Sequence, residues 1–203
     1  LVDSTVRLLE NLGEETYIRH ENSIYLEELE AILNERRRQI IQNETDDALT
    51  GVFNKMYFES RMEVIDRSEV IPVAVLNVNI NDWKYANDHF GDEESDRLIK
   101  TVADILKREA KSDFIIGRID GDAFGVLIPM ATEGEARDYM RRIQEECDSY
   151  EDPHLAPSVA VGMVFKTNIE EKLEERMSDA EYEMFNNKFE VKNAPGYQER
   201  LRK

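Results

Sequence analysis

The sequence lacks the features of disulfide-bonded, membrane-spanning and nonspecific nucleic-acid-binding proteins. It has one cysteine, Cys147, which excludes an intramolecular disulfide and is compatible with a reducing compartment. No apolar run approaches the roughly 20 residues of a membrane span, and no signal peptide opens the chain. Basic residues are few: 26 Lys and Arg against 44 Asp and Glu leave a net charge of −18. This balance argues against a nonspecific grip on nucleic acid or anionic membrane, so a polyphosphate ligand requires a local cluster of positive charge.

The start of the sequence indicates a larger context. The first residue is Leu, not Met, so we expect an excised piece of a longer protein. A cytoplasmic location is expected, with an upstream sensor domain or a membrane anchor left open. His20, His89 and His154 are scattered and show no metal-ligand spacing.

Residues 1–45 are predicted to form a helical linker. Apolar residues fall at spacings of 3, 4 and 7, the pattern of a helix that buries one seam, and predict a helix over residues 22–44. An earlier segment has similar spacing and a candidate break at Gly13. One interpretation is a helix packed on its own domain; the other is a dimerising coiled coil. The residues of the two segments are Leu26, Leu29, Leu33 and Ile40, and Val2, Val6 and Leu9.

Residues 46–203 alternate helical and strand patterns in the order α-β-α-β-β-α-β-α. The run "IPVAVLNVNI" predicts a buried strand, and "RIDGDAFGVLIP" predicts a hairpin. This order favours an α+β fold with one antiparallel sheet flanked by helices, of the ferredoxin-like kind. The inward faces of two helices are predicted to be Ile99, Val102, Ala103 and Leu106, and Ala136, Tyr139, Met140 and Ile143.

Two polar clusters are candidate sites. One is a predicted loop at the exit of the first strand, where Lys84 could meet a phosphate. The other is the hairpin tip, where Asp120-Gly121 suits a type I′ turn and Asp122 could help hold a hard cation. Ordinary turn chemistry explains both equally well from spacing alone. The first cluster also contains Asn79, Asn81, Asp82, Asn87 and Asp88.

Five blocks together resemble the GGDEF domain family, the diguanylate cyclases. They are "DALTGVFNKMYF", "VNINDWKYANDHFGDEESDRL", "GRIDGDAFGVLIP", "SVAVGMVF" and "AEYEMFNNKFEVKN", and they span about Asp47–Asn193. The resemblance implies a ferredoxin-like palm and a homodimer that joins two GTP molecules into cyclic di-GMP with Mg²⁺. It also makes a helical linker before the domain an expected feature.

The nucleotide-binding positions are retained. By the resemblance, Asn87 and Asp96 read guanine, and Lys84 contacts phosphate. Lys188, in the last helix, and Lys192, just beyond it, fall where the family places a Lys and an Arg on the terminal phosphates. Two lysines keep the charge but lose the bidentate fork of an arginine.

The metal and catalytic positions are largely lost. The signature occupies Asp120, Gly121, Asp122, Ala123 and Phe124. Asp122 keeps a metal-binding acid, and the carbonyl of Ile80 is a second candidate ligand. Asn79 replaces an aspartate that binds Mg²⁺ directly, and Ala123 replaces the glutamate needed for catalysis. Two Mg²⁺ ions need more anionic oxygen than one carboxylate supplies, so Mg²⁺ binding is expected to be weakened.

These departures favour a catalytically impaired or inactive GGDEF domain that acts as a regulatory module and binds GTP or another guanine nucleotide. An active diguanylate cyclase with an unusual metal site and a dimerisation scaffold that binds no nucleotide are the alternatives. No inhibitory cyclic di-GMP site is assigned, because Lys111 and Asp113 lie near its place with the wrong spacing. The expected partners are a second copy of the chain or an upstream sensor domain.

Overall fold

The computed structural model describes residues 2–150 and 155–197, with side chains from residue 23 onward. The chain divides into two compact units, Leu1–Glu44 and Thr45–Lys203. Among the described helices, none is long and apolar enough to cross a membrane.

The first unit is one long helix. α1 spans Val2–Thr45 without interruption, so the expected break at Gly13 is wrong. Glycine lowers helix stability by about 1 kcal/mol relative to alanine, which a helix of this length tolerates. The apolar seam predicted from the spacing is exposed in this chain: Leu26, Leu29, Leu33 and Ile40. The predicted stripe that includes Val2 falls on side chains outside the described residues.

The second unit contains a four-stranded antiparallel sheet in the order β2-β3-β1-β4. The strands are β1 (Val73–Ile80), β2 (Ile115–Asp120), β3 (Ala123–Pro129) and β4 (Val159–Lys166). β1 is central and buried along its whole length, as its run of apolar and β-branched residues predicts. The predicted α+β fold is therefore confirmed.

Five further helices pack around this sheet. They are α2 (Lys55–Arg67), α3 (Trp83–Phe90), α4 (Asp92–Glu109), α5 (Glu133–Ser149) and α6 (Leu173–Asn193). α3 is an addition to the predicted order, because the segment after β1 was expected to be a loop. Its Asn and Asp residues suit turns, but Trp83, Tyr85 and Ala86 pack against the core and make a short helix favourable.

The two faces of β1 carry different structures. Ala74, Leu76, Val78 and Ile80 face a core shared with α4 and α5. The predicted inward residues of those helices are buried there, with Met140 partly buried. The opposite face meets α2 and α6 through Val73 and Val75, and then continues as Asn77 and Asn79 toward the end of the strand. Strand alternation therefore places polar side chains on the α2 and α6 side of the sheet.

Glycines in the sheet let α2 and α6 approach it closely. A Cβ on Gly162 of β4 would lie 1.9 Å from the carbonyl oxygen of Ala180 in α6. Cβ atoms on Gly117 and Gly125 would lie 2.6 Å from the ring of Phe58 in α2. These contacts fix the depth of both helices on the sheet and hence the positions of the side chains that α6 presents to the strand ends.

Candidate functional site

The tip of the signature hairpin, formed by β2, β3 and their turn, differs from the prediction in its turn. Asp120 pairs with Ala123, so the two turn residues are Gly121 and Asp122. A register shift between Arg118 and Asp120 moves the turn one residue along the chain. Neither Asp120 nor Gly121 has the positive φ of a type I′ turn, so that assignment is wrong. The Asp120 carboxylate instead accepts the Gly121 N–H at 2.8 Å and closes the tip locally.

Arg118 ties this hairpin to the start of the domain. Its guanidinium donates to the Gly121 carbonyl from Nη2 at 2.7 Å and from Nε at 3.1 Å. Its Nη1 contacts both carboxylate oxygens of Asp47 at 3.3 Å. Both side chains of this ion pair are mostly buried, at 18% and 21% exposure, so the pair is shielded from solvent. Arg118 therefore holds the turn in a fixed position.

The strand pairing brings the two candidate metal positions together. Asn79 of β1 lies opposite Ala123 of β3, and the Ile80 N–H donates to the Asp122 carbonyl at 2.9 Å. Asn79 and Asp122 therefore meet at the ends of adjacent strands. Both line a cavity beside the hairpin.

A lysine occupies the position beside these two side chains. Lys188 of α6 donates from Nζ to the Asn79 Oδ1 at 2.5 Å. Burial lowers the pKa of the Lys188 ammonium, the Asp122 carboxylate opposes this, and Lys192 lowers it further. The Asn79 amide oxygen thus already has a cationic donor from within the chain.

The second lysine of α6 is also engaged. Lys192 lies inside α6, not beyond it as expected, and its Nζ contacts the Asp82 Oδ1 at 2.9 Å. The Tyr197 hydroxyl donates to the other oxygen of the same carboxylate. Asp82 has a φ of 59°, the left-handed conformation, at the start of α3. The sequence offered no sign of Tyr197, whose contact depends on the fold after α6.

The positions predicted to read guanine, Asn87 and Asp96, lie at the junction of α3 and α4. Asn87 donates from Nδ2 to the Asp92 Oδ1 and to the Ser95 Oγ, each at 3.3 Å. Asp96 follows Ser95 on α4 and is half-buried, and Lys84 is exposed one turn before Asn87 on α3. Asn87 and Asp96 are therefore held near each other by the first turn of α4. Among the described residues, Lys84 makes no hydrogen bond or ion pair.

The residues present do not fit a pair of divalent metal ions. In the described part of the chain, no group of three or more His, Cys, Asp or Glu side chains could hold a metal. At the expected position one carboxylate remains, Asp122, and the Asn79 oxygen is taken by the Lys188 ammonium. A hard cation needs anionic oxygen and is repelled by an adjacent positive charge, so this donor set favours the lysine.

Comparison with known proteins finds a matching family and several relatives. A family model described as "Diguanylate cyclase, GGDEF domain" matches residues 44–194. The probable diguanylate cyclase DgcT of Escherichia coli (strain K12) is 32% identical over 103 residues, covering 50% of this chain and 23% of that protein. The probable diguanylate cyclase DgcE of the same organism is 27% identical over 116 residues, covering 56% of this chain and 10% of that protein. The chain therefore spans a quarter or less of these two curated relatives.

Solved structures share the fold. The coiled coil and GGDEF domain of DgcB from Caulobacter crescentus, solved in complex with c-di-GMP, matches with a TM-score of 0.72 and 20% identity. The match covers 85% of this chain and 95% of that one. The FimX GGDEF domain from Pseudomonas aeruginosa matches with a TM-score of 0.66 and 16% identity, over 72% of this chain and 94% of that one. At these identities the likeness concerns the fold alone.

Proposed function

Since this chain belongs to the GGDEF domain family, we propose that it is a member with impaired or absent cyclase activity. It acts as a signalling module that binds guanine nucleotide. The observation that carries this proposal is the contact of the Lys188 ammonium with Asn79, beside Asp122. By the family resemblance, this positive charge of the protein lies at the position proposed for the metal.

The loss of carboxylates weakens metal binding, as the positive charge of Lys188 also does. Replacing aspartate by asparagine at residue 79 removes a full negative charge from the metal position. At an effective dielectric of 20, one charge pair at 4 Å is worth about 4 kcal/mol. Ala123, opposite Asn79, has no group that could accept a proton from a ribose hydroxyl. We therefore expect this chain to lack two requirements of the cyclase reaction, the bound metal and the acid at the reacting end.

Guanine recognition uses a different part of the domain. Asn87 and Asp96 lie on α3 and α4 and are not among the residues that line the cavity at the hairpin. A carboxylate can accept two N–H groups from the guanine edge, and an amide can pair with its acceptor and donor groups. Lys84 is exposed and unpaired among the described residues, so it is available to a phosphate. We propose that the nucleotide is bound here and supplies a signal without being converted.

A product assay tests the loss of activity. Purified protein is incubated with GTP and Mg²⁺ or Mn²⁺, and cyclic di-GMP is measured by chromatography beside a cyclase with an intact signature. We expect no product above background. Cyclic di-GMP formed at the rate of the reference enzyme would establish the alternative, an active cyclase with an unusual metal site.

Calorimetry with GTP separates a nucleotide sensor from a scaffold that binds no nucleotide. Hydrogen bonds to a charged group are worth about 1.5–3 kcal/mol, so Asp96→Ala should weaken GTP binding by about tenfold or more. Asp104→Ala is the matched control, because Asp104 is an exposed carboxylate on the same helix with 70% side-chain exposure. No heat with millimolar GTP would favour the scaffold.

The role proposed for residues 1–45 is a helical linker that pairs two copies of the chain. The support is the length of α1 and its exposed apolar seam of Leu26, Leu29, Leu33 and Ile40. The DgcB structure includes a coiled coil with its GGDEF domain. Light scattering should report a dimer that becomes a monomer in the Leu33→Arg, Ile40→Arg double variant. The one cysteine of the sequence, Cys147, is buried, which is consistent with a reducing, cytoplasmic setting.

A further inference from the structure

Three polar residues follow the axis of α3. Asn87 lies near the end of this helix, and Lys84 lies one turn before it on the same face. Asp82 immediately precedes the helix, about 8 Å along its axis from Asn87 at 1.5 Å per residue. A nucleotide whose base contacts Asn87 and whose phosphate contacts Lys84 therefore extends toward the start of α3. Each added phosphate lies nearer to Asp82.

The lysine at the start of α3 is neutralised from within the chain. Lys192 of α6 places its Nζ 2.9 Å from the Asp82 Oδ1, and the Tyr197 hydroxyl donates to the other oxygen of that carboxylate. The Asp82 side chain is 9% exposed, whereas that of Lys192 is 37% exposed. A phosphate that binds Lys192 removes an ammonium from a largely buried carboxylate and brings a second negative charge close to it. Both effects cost free energy and offset the gain of the new contact.

The other lysine that α6 brings to this region, Lys188, adds little net charge. Its ammonium contacts the Asn79 Oδ1. Burial lowers the pKa of Lys188, and the nearby Asp122 carboxylate opposes that shift. The two lysines together with Asp82 and Asp122 carry two positive and two negative formal charges, and Asp120 at the hairpin tip adds another negative charge. The terminal phosphates of a nucleotide therefore meet no net positive charge here.

Lys84 differs from both lysines of α6. Its side chain is exposed, and among the described residues it makes no hydrogen bond or ion pair. An exposed ammonium gains little from each phosphate contact, because water and salt screen the charges. GMP, which has one phosphate, can use this contact as well as GTP can.

On the basis of the function proposed above, we propose that the site binds guanosine nucleotides with little discrimination between GMP, GDP and GTP. Asp82 sets this property, because its carboxylate neutralises Lys192 at the start of α3. Specificity comes from the base, through Asn87 and Asp96. The module then responds to the total concentration of guanine nucleotides and not to the fraction that is triphosphate.

Calorimetry on the whole chain with GTP, GDP and GMP, each in excess EDTA, tests this proposal. GTP should bind no more than about threefold more tightly than GMP, because contacts between screened charges are weak. A larger preference for GTP would overturn the proposal and leave nucleotide binding, the function proposed above, intact. Absence of binding by all three nucleotides at millimolar concentration would refute both.

AMP is the control for the base, since it has the same single phosphate as GMP. It should bind about tenfold or more weakly than GMP, because it cannot supply the hydrogen bonds of the guanine edge to the Asp96 carboxylate. Equal binding of AMP and GMP would contradict recognition through the base.

Asp82→Asn tests the role of the carboxylate. Asparagine keeps the size of the side chain, an acceptor for the Tyr197 hydroxyl and a tolerance of the φ of 59°, but it removes the charge that neutralises Lys192. The ratio of GTP affinity to GMP affinity should rise about fivefold. Glu190→Gln is the matched control, because it removes an exposed carboxylate of α6 two residues from Lys192. A ratio that stays constant in Asp82→Asn, or rises equally in Glu190→Gln, would refute this role of Asp82.

Adding Lys192→Ala to Asp82→Asn identifies the group that causes the gain. If the released ammonium of Lys192 binds the added phosphates, the double variant should return to the ratio of the parent chain. A gain that persists in the double variant would contradict the proposal. A thermal melt of each variant establishes that the domain is folded. The comparison of GTP with GMP in the parent chain needs no variant, so it can refute the proposal even if a variant unfolds.

Discussion

The buried ion pair between Lys166 and Asp66 should respond very differently to the removal of each partner. Lys166, at the end of β4, has no exposed side-chain surface, and its ammonium contacts the Asp66 carboxylate of α2. Asp66 also accepts the Leu173 N–H at the start of α6, at 3.2 Å and 3.3 Å. One carboxylate thus neutralises a buried lysine and caps the helix that carries the site lysines.

The contacts of Asp66 and Lys166 indicate how much stability each substitution should cost. Asp66→Ala leaves a buried ammonium without a partner, at about 3–5 kcal/mol, and removes the acceptor of the Leu173 N–H, at about 1 kcal/mol. Lys166→Met replaces the buried ammonium by an apolar chain of similar length. Asp66 keeps its bond to Leu173 and 14% side-chain exposure to water. The cost is then about 1 kcal/mol or less.

Urea unfolding followed by the fluorescence of Trp83 measures both variants. Trp83 is the one tryptophan of the sequence and packs against the core of the second unit, so its signal reports that unit. The midpoint and slope give the free energy of unfolding. We expect Asp66→Ala to be less stable than Lys166→Met by about 3 kcal/mol or more, and the double variant to recover most of the loss. Equal destabilisation by the two single variants would refute the reasoning.

Three further outcomes follow from the packing. Gly162→Ala should destabilise the domain by about 1–3 kcal/mol in urea, whereas Gly134→Ala, with open space around its Cβ position, should be neutral or stabilising. Arg118→Ala should release the hairpin tip. The hydrogen-exchange rate of the Gly121 amide should then rise, while the rates of the amides in α5 stay unchanged. Two backbone N–H groups, of Thr167 and Asn168, lower the pKa of the Glu171 carboxyl. The stability that the Glu171 carboxylate contributes is present above the usual glutamate pKa and is lost as pH falls through the lowered pKa. The free energies of unfolding of Glu171→Gln and of the parent should therefore converge in acid.

The sequence predicts the framework of the domain well because burial is periodic. The inward faces of α4 and α5 and the buried run of β1 follow from apolar spacing, and the structure places them in one core. α3 was missed because its Asn and Asp residues match turn chemistry, while the packing of Trp83 and Tyr85 is a tertiary effect. Local patterns therefore identify elements whose burial is regular and miss those that long-range contacts stabilise.

The sequence named the residues of the candidate site but did not predict the contacts that they make. Family resemblance located Asn79, Asp122 and Lys188, yet the contact between Asn79 and Lys188 joins residues 109 apart in the chain. The turn of the hairpin was misassigned because Asp-Gly is a strong local signal, whereas a register shift sets the pairing. The Asn77 Oδ1, which is buried and has no hydrogen-bond donor among the described residues, has no sequence signal, because its surroundings depend on which side chains pack around a buried strand.

The affinity of the chain for GTP in Mg²⁺ and in excess EDTA tests the central claim most directly. We propose that the protein binds guanine nucleotide without a divalent ion, because the Lys188 ammonium contacts Asn79 and one carboxylate lies beside it. Calorimetry on one preparation should give dissociation constants in the two buffers that agree within about twofold. Binding that weakens about tenfold or more when Mg²⁺ is removed would contradict the account, since the metal would then contribute to binding despite the lysine.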